Sequence, residues 1–327
     1  MEIRLITPAG VHPYPVEDVK ALLDGDDGLL WVDIPVCDEP AARLLSEVFG
    51  FHPRAVQDCV ERNRVPKVHV YADHIFVALH APQLGKAGHV HYIELDQFIG
   101  PRYLVTVHGP LNPVVDPATA LQETGTVLRR LEAGRLHPST SYELSYAVVA
   151  ALTRRLEEFV AQQTQQVWQL EQRVTSGHLG NPEQFLEEMF QARHGLIAAR
   201  TMGLLSREIY GRLAAIGRTV PAEARPLLDD IVDQFSRVFA LADGQKEYLQ
   251  GVIDFYRTRS DTKMTVAAER LAVIAVITLP ITALSSVLGM NLIVNDRTHF
   301  VLLVLVLAIM VVMSGMLLAW AKRQGWW

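Results

Sequence analysis

The chain has little cysteine and no excess of positive charge. Only two cysteines, Cys37 and Cys59, occur in 327 residues. That is too few for a disulfide framework, and two buried thiols in a reducing cytosol are the expected state. Lys and Arg number 30 against 36 Asp and Glu, a net charge of −6. Phosphate backbones require concentrated positive charge, so no nucleic-acid partner is expected. The sequence has no Gly-rich phosphate loop, no Gly-x-Ser-x-Gly and no His-Glu-x-x-His. Neither an enzyme nor a small organic substrate is therefore expected. Met1-Glu2-Ile3-Arg4 is not followed by an apolar run, so no signal peptide is expected.

A local absence says more. Residues 271–288 and 300–321 contain no Asp, Glu, Lys, Arg or His. A bilayer core takes roughly 20 apolar residues of helix, which predicts spans at about 271–290 and 300–321. Lys263 and Arg270 precede the first, and Lys322 and Arg323 follow the second. The connection from Asn291 to His299 holds one Arg and one Asp. Positive-inside bias then predicts a multi-pass inner (plasma) membrane protein with both termini cytoplasmic and the connection outside. Membrane lipid is an expected partner.

The soluble part divides by pattern. Glu2–Thr7, Leu29–Ile34, Lys67–Ala72, Ile75–His80, His91–Ile99 and Tyr103–His108 are rich in Val, Ile, Phe and Tyr and read as strands. Val16–Leu23, Glu39–Phe49 and Pro53–Glu61 read as helices, with Asp38 an N-cap before Pro40. An α/β cytoplasmic domain is expected over 1–135. Long helices follow. Leu144, Val148, Leu152, Leu156 and Phe159 form an apolar stripe that ends near Gly177, and Asn181-Pro182 starts another helix toward Gly217. From Leu227 to Leu288 one continuous helix is predicted, roughly 90 Å at 1.5 Å per residue. The expected divisions are antiparallel helices and a stalk over 136–268, then a transmembrane hairpin over 269–327.

Two spans from one chain cannot enclose a pore, so transport would require an oligomer; a simple anchor is the other reading. Thr278, Thr282, Ser285 and Gly289 recur at helical spacing on one face, beside Ser286, and the same face continues back to Leu271 and Ala275 with Leu279 adjoining. As a pore lining it is apolar below and polar above. As a packing surface, small hydroxyl residues favour close helix approach. The face has no carboxylate, which suits contact with an ion through its water shell, because Mg²⁺ dehydrates reluctantly. Leu271 and Leu279 are candidate dewetting constrictions, and Pro280 a candidate hinge, since it removes a backbone hydrogen bond.

These residues carry a family resemblance. Leu279-Pro280-Ile281-Thr282, then Leu288-Gly289-Met290-Asn291, a short loop and a last span resemble the CorA-type magnesium transporters. Phe51-His52-Pro53, Asp58-Cys59, Arg64-Val65-Pro66-Lys67-Val68 and Tyr103–His108 are similar to the family's soluble signatures. The resemblance implies a funnel-shaped homopentamer whose first spans line a central pore. It implies a Gly289, Met290, Asn291 selectivity motif at the outer mouth. It also implies closure by cytosolic Mg²⁺, with Asp254 at the position of a regulatory carboxylate on the stalk. The chain departs from the pattern in lacking a carboxylate at Gly85-Lys86-Ala87-Gly88, in Thr265, in Glu269-Arg270 and in its outer loop, where Asp296 is offset by Arg297.

Mg²⁺ is the expected cargo and regulatory ion. A Zn²⁺, Co²⁺ or Ni²⁺ transporter, coupled to protons or not, is the alternative, and a non-conducting membrane-anchored ion sensor the third reading. His89 and His91 alternate on a predicted strand and are the seed of a Zn²⁺ or Co²⁺ site, but no Cys or further His completes it at recognisable spacing. Two solvated histidines on a strand surface are the plainer expectation.

Overall fold

The computed structural model describes residues 1–110, 112–177, 180–216, 220–289 and 300–323. By contacts the chain forms two units, Met1–Val252 and Ile253–Trp327, each taken by itself below.

The first unit is built on one seven-stranded sheet. Its strands are β1 (Glu2–Thr7), β2 (Gly10–Tyr14), β3 (Leu29–Ile34), β4 (Lys67–Val70), β5 (Ile75–Leu84), β6 (Val90–Ile99) and β7 (Tyr103–His108). The spatial order is β2-β1-β3-β7-β6-β5-β4, and only the β3–β7 pair is parallel. β2 was not predicted. It carries Gly10 and Pro13, which weaken a strand signal, but it lies on the sheet edge, where a missing N–H costs no ladder bond. β5 runs four residues past its predicted end because it pairs with β6 along its whole length, Pro82 opposite Tyr92 included.

Short helices α1 (Val19–Asp24), α2 (Glu39–Arg43) and α3 (Pro53–Val60) follow the early strands. Asp38 caps α2 as expected, accepting from the Ala41 N–H at 2.9 Å. A wide helical turn, Leu44–Val48, completes the predicted Glu39–Phe49 helix. α4 (Pro117–Ala120) and α5 (Gln122–Glu132) were not predicted. α5 turns Glu123 toward the core, where Arg155 meets it at 2.9 Å, so its buried face does not read as apolar.

The long helices are α6 (Ser141–Ser176), α7 (Pro182–Ala215) and α8 (Arg225–Gly289). Thr140 caps α6 through the Glu143 N–H, while Glu143 reaches back to Ser139, and Gly177 ends it with φ +80°. Asn181 caps α7. The predicted continuous helix is α8, 65 residues long and unbroken at Pro280.

Strand alternation gives the sheet two buried faces. Leu30, Val32, Ile34, Phe98, Val105 and Val107 point to the side of α1–α3, with Leu45, Phe51 and Cys59. Trp31, Val77, Leu79, Leu95 and Leu104 point to the other, against Leu144, Val148 and Leu152 of α6, Met202 and Tyr210 of α7, and Phe235 and Val238 of α8. This is a helix–sheet–helix layering with period 2 in the strands and 3.6 in the helices. Cys59 is buried, Cys37 only half-buried, and both are free thiols. Burial pushes Cys37 up to about 11 and Cys59 well above its usual range, so neither is a ready nucleophile.

The second unit holds the remainder of α8 and α9 (Phe300–Arg323). Both helices are long and apolar enough to cross a membrane.

Candidate ion pathway and ion-sensing residues

The residues of the predicted pore face all lie on α8. Leu271 and Leu279 are 67% and 66% exposed. Thr278, Thr282, Ser285 and Ser286 are also exposed, and Ala275 and Pro280 are half-buried. An apolar run that stays exposed along a helix is what a membrane environment, rather than water, stabilises.

The hydroxyl geometry adds chemistry that spacing alone does not contain. Thr278 donates to the Ile274 carbonyl at 2.9 Å, and Thr282 donates to the Thr278 carbonyl at 2.8 Å. Each hydroxyl hydrogen is therefore spent on its own helix, and what the oxygen offers outward is lone pairs. Water held by a cation points its hydrogens away from the ion. Such a face accepts from those waters without stripping them, which matches an outer-sphere contact. Pro280 lacks an N–H, so the Val276 carbonyl has no Pro280 donor at i+4, yet α8 runs through this point.

Gly289 is the last residue of α8. Met290 and Asn291, and the connection through Asp296 and Arg297, lie outside the described residues. Asp254 stands on α8 with its side chain 60% exposed and faces Arg257 at 3.9 Å, a long surface pair. Thr265 donates to the Asp261 carbonyl at 3.0 Å. Gly85–Gly88 forms a tight turn over Lys86–Gly88.

Two groupings escaped the sequence reading. The first is His194 on α7, whose ring stacks 6.4 Å from that of His89, itself 4.8 Å from His91. A histidine does approach the pair, from more than a hundred residues away in sequence, a separation at which no spacing rule operates. His89 also lies just before β6 rather than within it. The second is a buried acidic pair on β6, Glu94 and Asp96. Burial raises Glu94 to about 7 against the opposing hydrogen bonds from Asn63, and burial followed by the Glu94 charge raises Asp96 well above the carboxylate range. The Asn63 N–H reaches Glu94 Oε2 at 2.8 Å. Alternation along β6 puts two carboxyls on one side, but nothing in the sequence marks that side as dry.

Comparison with known proteins supplies the lineage. Residues 26–323 match the family described as CorA-like Mg2+ transporter protein. YfjQ of Bacillus subtilis is 24% identical over 328 residues, 95% of this chain and 93% of that protein. The cobalt/magnesium transport protein CorA of Thermotoga maritima is 21% identical over 325 residues, 96% of this chain and 88% of that one. The structure of the CorA magnesium transporter from Methanocaldococcus jannaschii has a TM-score of 0.81 at 17% identity, covering 100% of this chain and 99% of that one. The fold described above is shared with that transporter from end to end. A mixed α/β unit, one very long helix, two apolar C-terminal helices and a family match over nearly the whole length together make this chain a member of the CorA-like family, a membrane transporter of divalent metal ions and not an enzyme.

Proposed function

We propose that this chain is a Mg²⁺ uptake channel that passes the ion with its water shell through the axis of a homopentamer. The observation that supports this most directly is the α8 face on which Thr278 and Thr282 turn lone pairs outward and no carboxylate intervenes. Two spans per chain supply too little wall for a pore, so copies must surround it. Gly289, Met290 and Asn291 form the outer entrance, where Asn291 carboxamides make a neutral, polar ring. Leu271 and Leu279 form the apolar constrictions, with Ala275, Ser285 and Ser286 completing the lining and Pro280 acting as the hinge. Both termini face the cytoplasm of the inner membrane, and Asp254 senses cytosolic Mg²⁺ between copies. The functional divisions are 1–135, 136–268 and 269–327.

The test is divalent-ion uptake into liposomes containing the full chain, comparing Mg²⁺, Co²⁺ and Zn²⁺ at fixed pH. Rapid Mg²⁺ flux that Asn291→Ala abolishes is the expected result. Flux that survives this change removes the outer ring from the mechanism. The Thermotoga maritima relative is named for cobalt as well as magnesium, which supports a second reading in which Co²⁺, Zn²⁺ or Ni²⁺ is the cargo. Zn²⁺ flux that needs a proton gradient would favour it.

A further inference from the structure

A cavity of about 420 Å³ opens between β6, the segment after α3 and α7, and three imidazoles share it. Gly88 brings them together. Its φ is +72°, and a Cβ there would run into the Gln191 side chain of α7, so the 86–88 turn lies directly on that helix. His194 is three residues on from Gln191 and on the same face. His89 follows the turn, and the distances above result: 4.8 Å to His91 at 77° and 6.4 Å to His194 at 22°.

The middle ring is already oriented. Asn112 Oδ1 accepts from the Val114 N–H at 3.2 Å, which leaves its Nδ2 facing His91 Nδ1 at 3.2 Å. Asn112 therefore donates and Nδ1 accepts, so Nδ1 is the ring nitrogen that carries the lone pair. The opposite nitrogen, Nε2, lies over Gly85, where any Cβ would overlap it. The lone pair is held by a single long, neutral hydrogen bond beside the cavity.

We propose that His89, His91 and His194 form a three-imidazole site for a divalent transition-metal ion, Zn²⁺, Co²⁺ or Ni²⁺, in the N-terminal unit and apart from the membrane path. Among the described residues no three His, Cys, Asp or Glu side chains converge on one metal position as they stand. His89 and His194 are exposed, and exposed rings change rotamer in picoseconds to nanoseconds, so closure requires side-chain rotation while the backbone stays as it is. Imidazole selects this class of ion and leaves Mg²⁺ aside, because Mg²⁺ takes oxygen ligands and keeps its water. Arg62 and Arg64 line the same cavity, so the fourth position takes water or a small anion. A bound ion ties the 86–91 segment to α7, so metal occupancy is transmitted to one of the long helices.

The experiment uses the untagged full chain in detergent with millimolar Mg²⁺ present, titrated with Co²⁺ and followed by its visible absorption. Expected is one Co²⁺ per chain with a tetrahedral spectrum, displaced by Zn²⁺ and indifferent to added Mg²⁺. Affinity falls at least ~10-fold in His89→Ala and in His194→Ala, the lower end of what disturbing a metal site costs. Gly85→Ala, which pushes on His91 without removing a ligand, weakens binding in the same direction. Absent Co²⁺ binding, binding that Mg²⁺ competes away, or unchanged affinity in the variant lacking all three imidazoles would each overturn the site. The readout is binding alone, so the transport reading stands or falls separately.

Discussion

The two units of this chain place their apolar residues in opposite ways. In Met1–Val252 the large side chains Trp31, Phe76, Phe98 and Phe235 have no exposed surface. In Ile253–Trp327, Leu271, Leu279, Val301 and Val311 are between 66% and 80% exposed. The first unit carries its own dry interior, so its polar groups must find partners inside it. The second leaves its apolar surface to surroundings that one chain does not supply, and hydroxyls such as those of Thr278, Thr282 and Ser314 bond to their own helix. Stability is therefore written mainly in the first unit, and the proposed ion pathway lies in the second.

The sharpest way to break this contrast is to unbalance a charge in the interior. Arg155 and Glu123, both nearly inaccessible, meet at 2.9 Å, and Arg155 also holds the Thr119 carbonyl and Gln83. Arg155→Ala leaves a buried carboxylate alone and should cost about 3–5 kcal/mol, read as a fall in the melting temperature of the solubilised chain. A melt within a degree of the parent would contradict the account of that interior.

A smaller effect depends on pH. Glu94 titrates near 4.5 when unfolded and at about 7 when folded, because burial disfavours its charge. The folded chain then holds a proton that the unfolded chain releases. Its contribution is fully present below about pH 4.5 and is lost as pH rises to about 7. Glu94→Gln should flatten the melting temperature across that window, and an unchanged slope would assign the pH dependence to another group.

In the second unit the same kind of change should do little to stability. Thr282→Ala removes an exposed hydroxyl bonded to its own helix and should shift unfolding by no more than ~0.5 kcal/mol while slowing Mg²⁺ flux. If stability drops and flux does not, Thr282 belongs to a packing surface. The smallest structural effect is expected at Asp254, whose pair with Arg257 is long and exposed. Asp254→Ala should leave unfolding unchanged and weaken closure by millimolar cytosolic Mg²⁺; closure at the parent concentration removes Asp254 from the gate.

Much of the fold was legible where one physical signal acts alone. β1, β3 and β7 lie where the Val- and Ile-rich runs put them, and Asp38, Gly177 and Asn181 mark helix ends because caps are local. The signal failed where a distant partner supplies the reason. β2 is a strand because it adds to an edge, and α5 hides a charge that Arg155, 32 residues away, neutralises. The candidate pore face was legible as spacing, while the direction of its hydroxyls was not, because that depends on a hydrogen bond to a carbonyl one turn back.

The sequence by itself determined the two uncharged spans, the continuous long helix, the Gly289-Met290-Asn291 motif and the absence of a carboxylate on the α8 face, since each is a property of neighbours along the chain. The tertiary structure alone decided that Glu94 and Asp96 are buried together and that His194 stands beside His89. Burial and approach across the sheet and α7 are set by packing between segments far apart in sequence, and no local pattern encodes them.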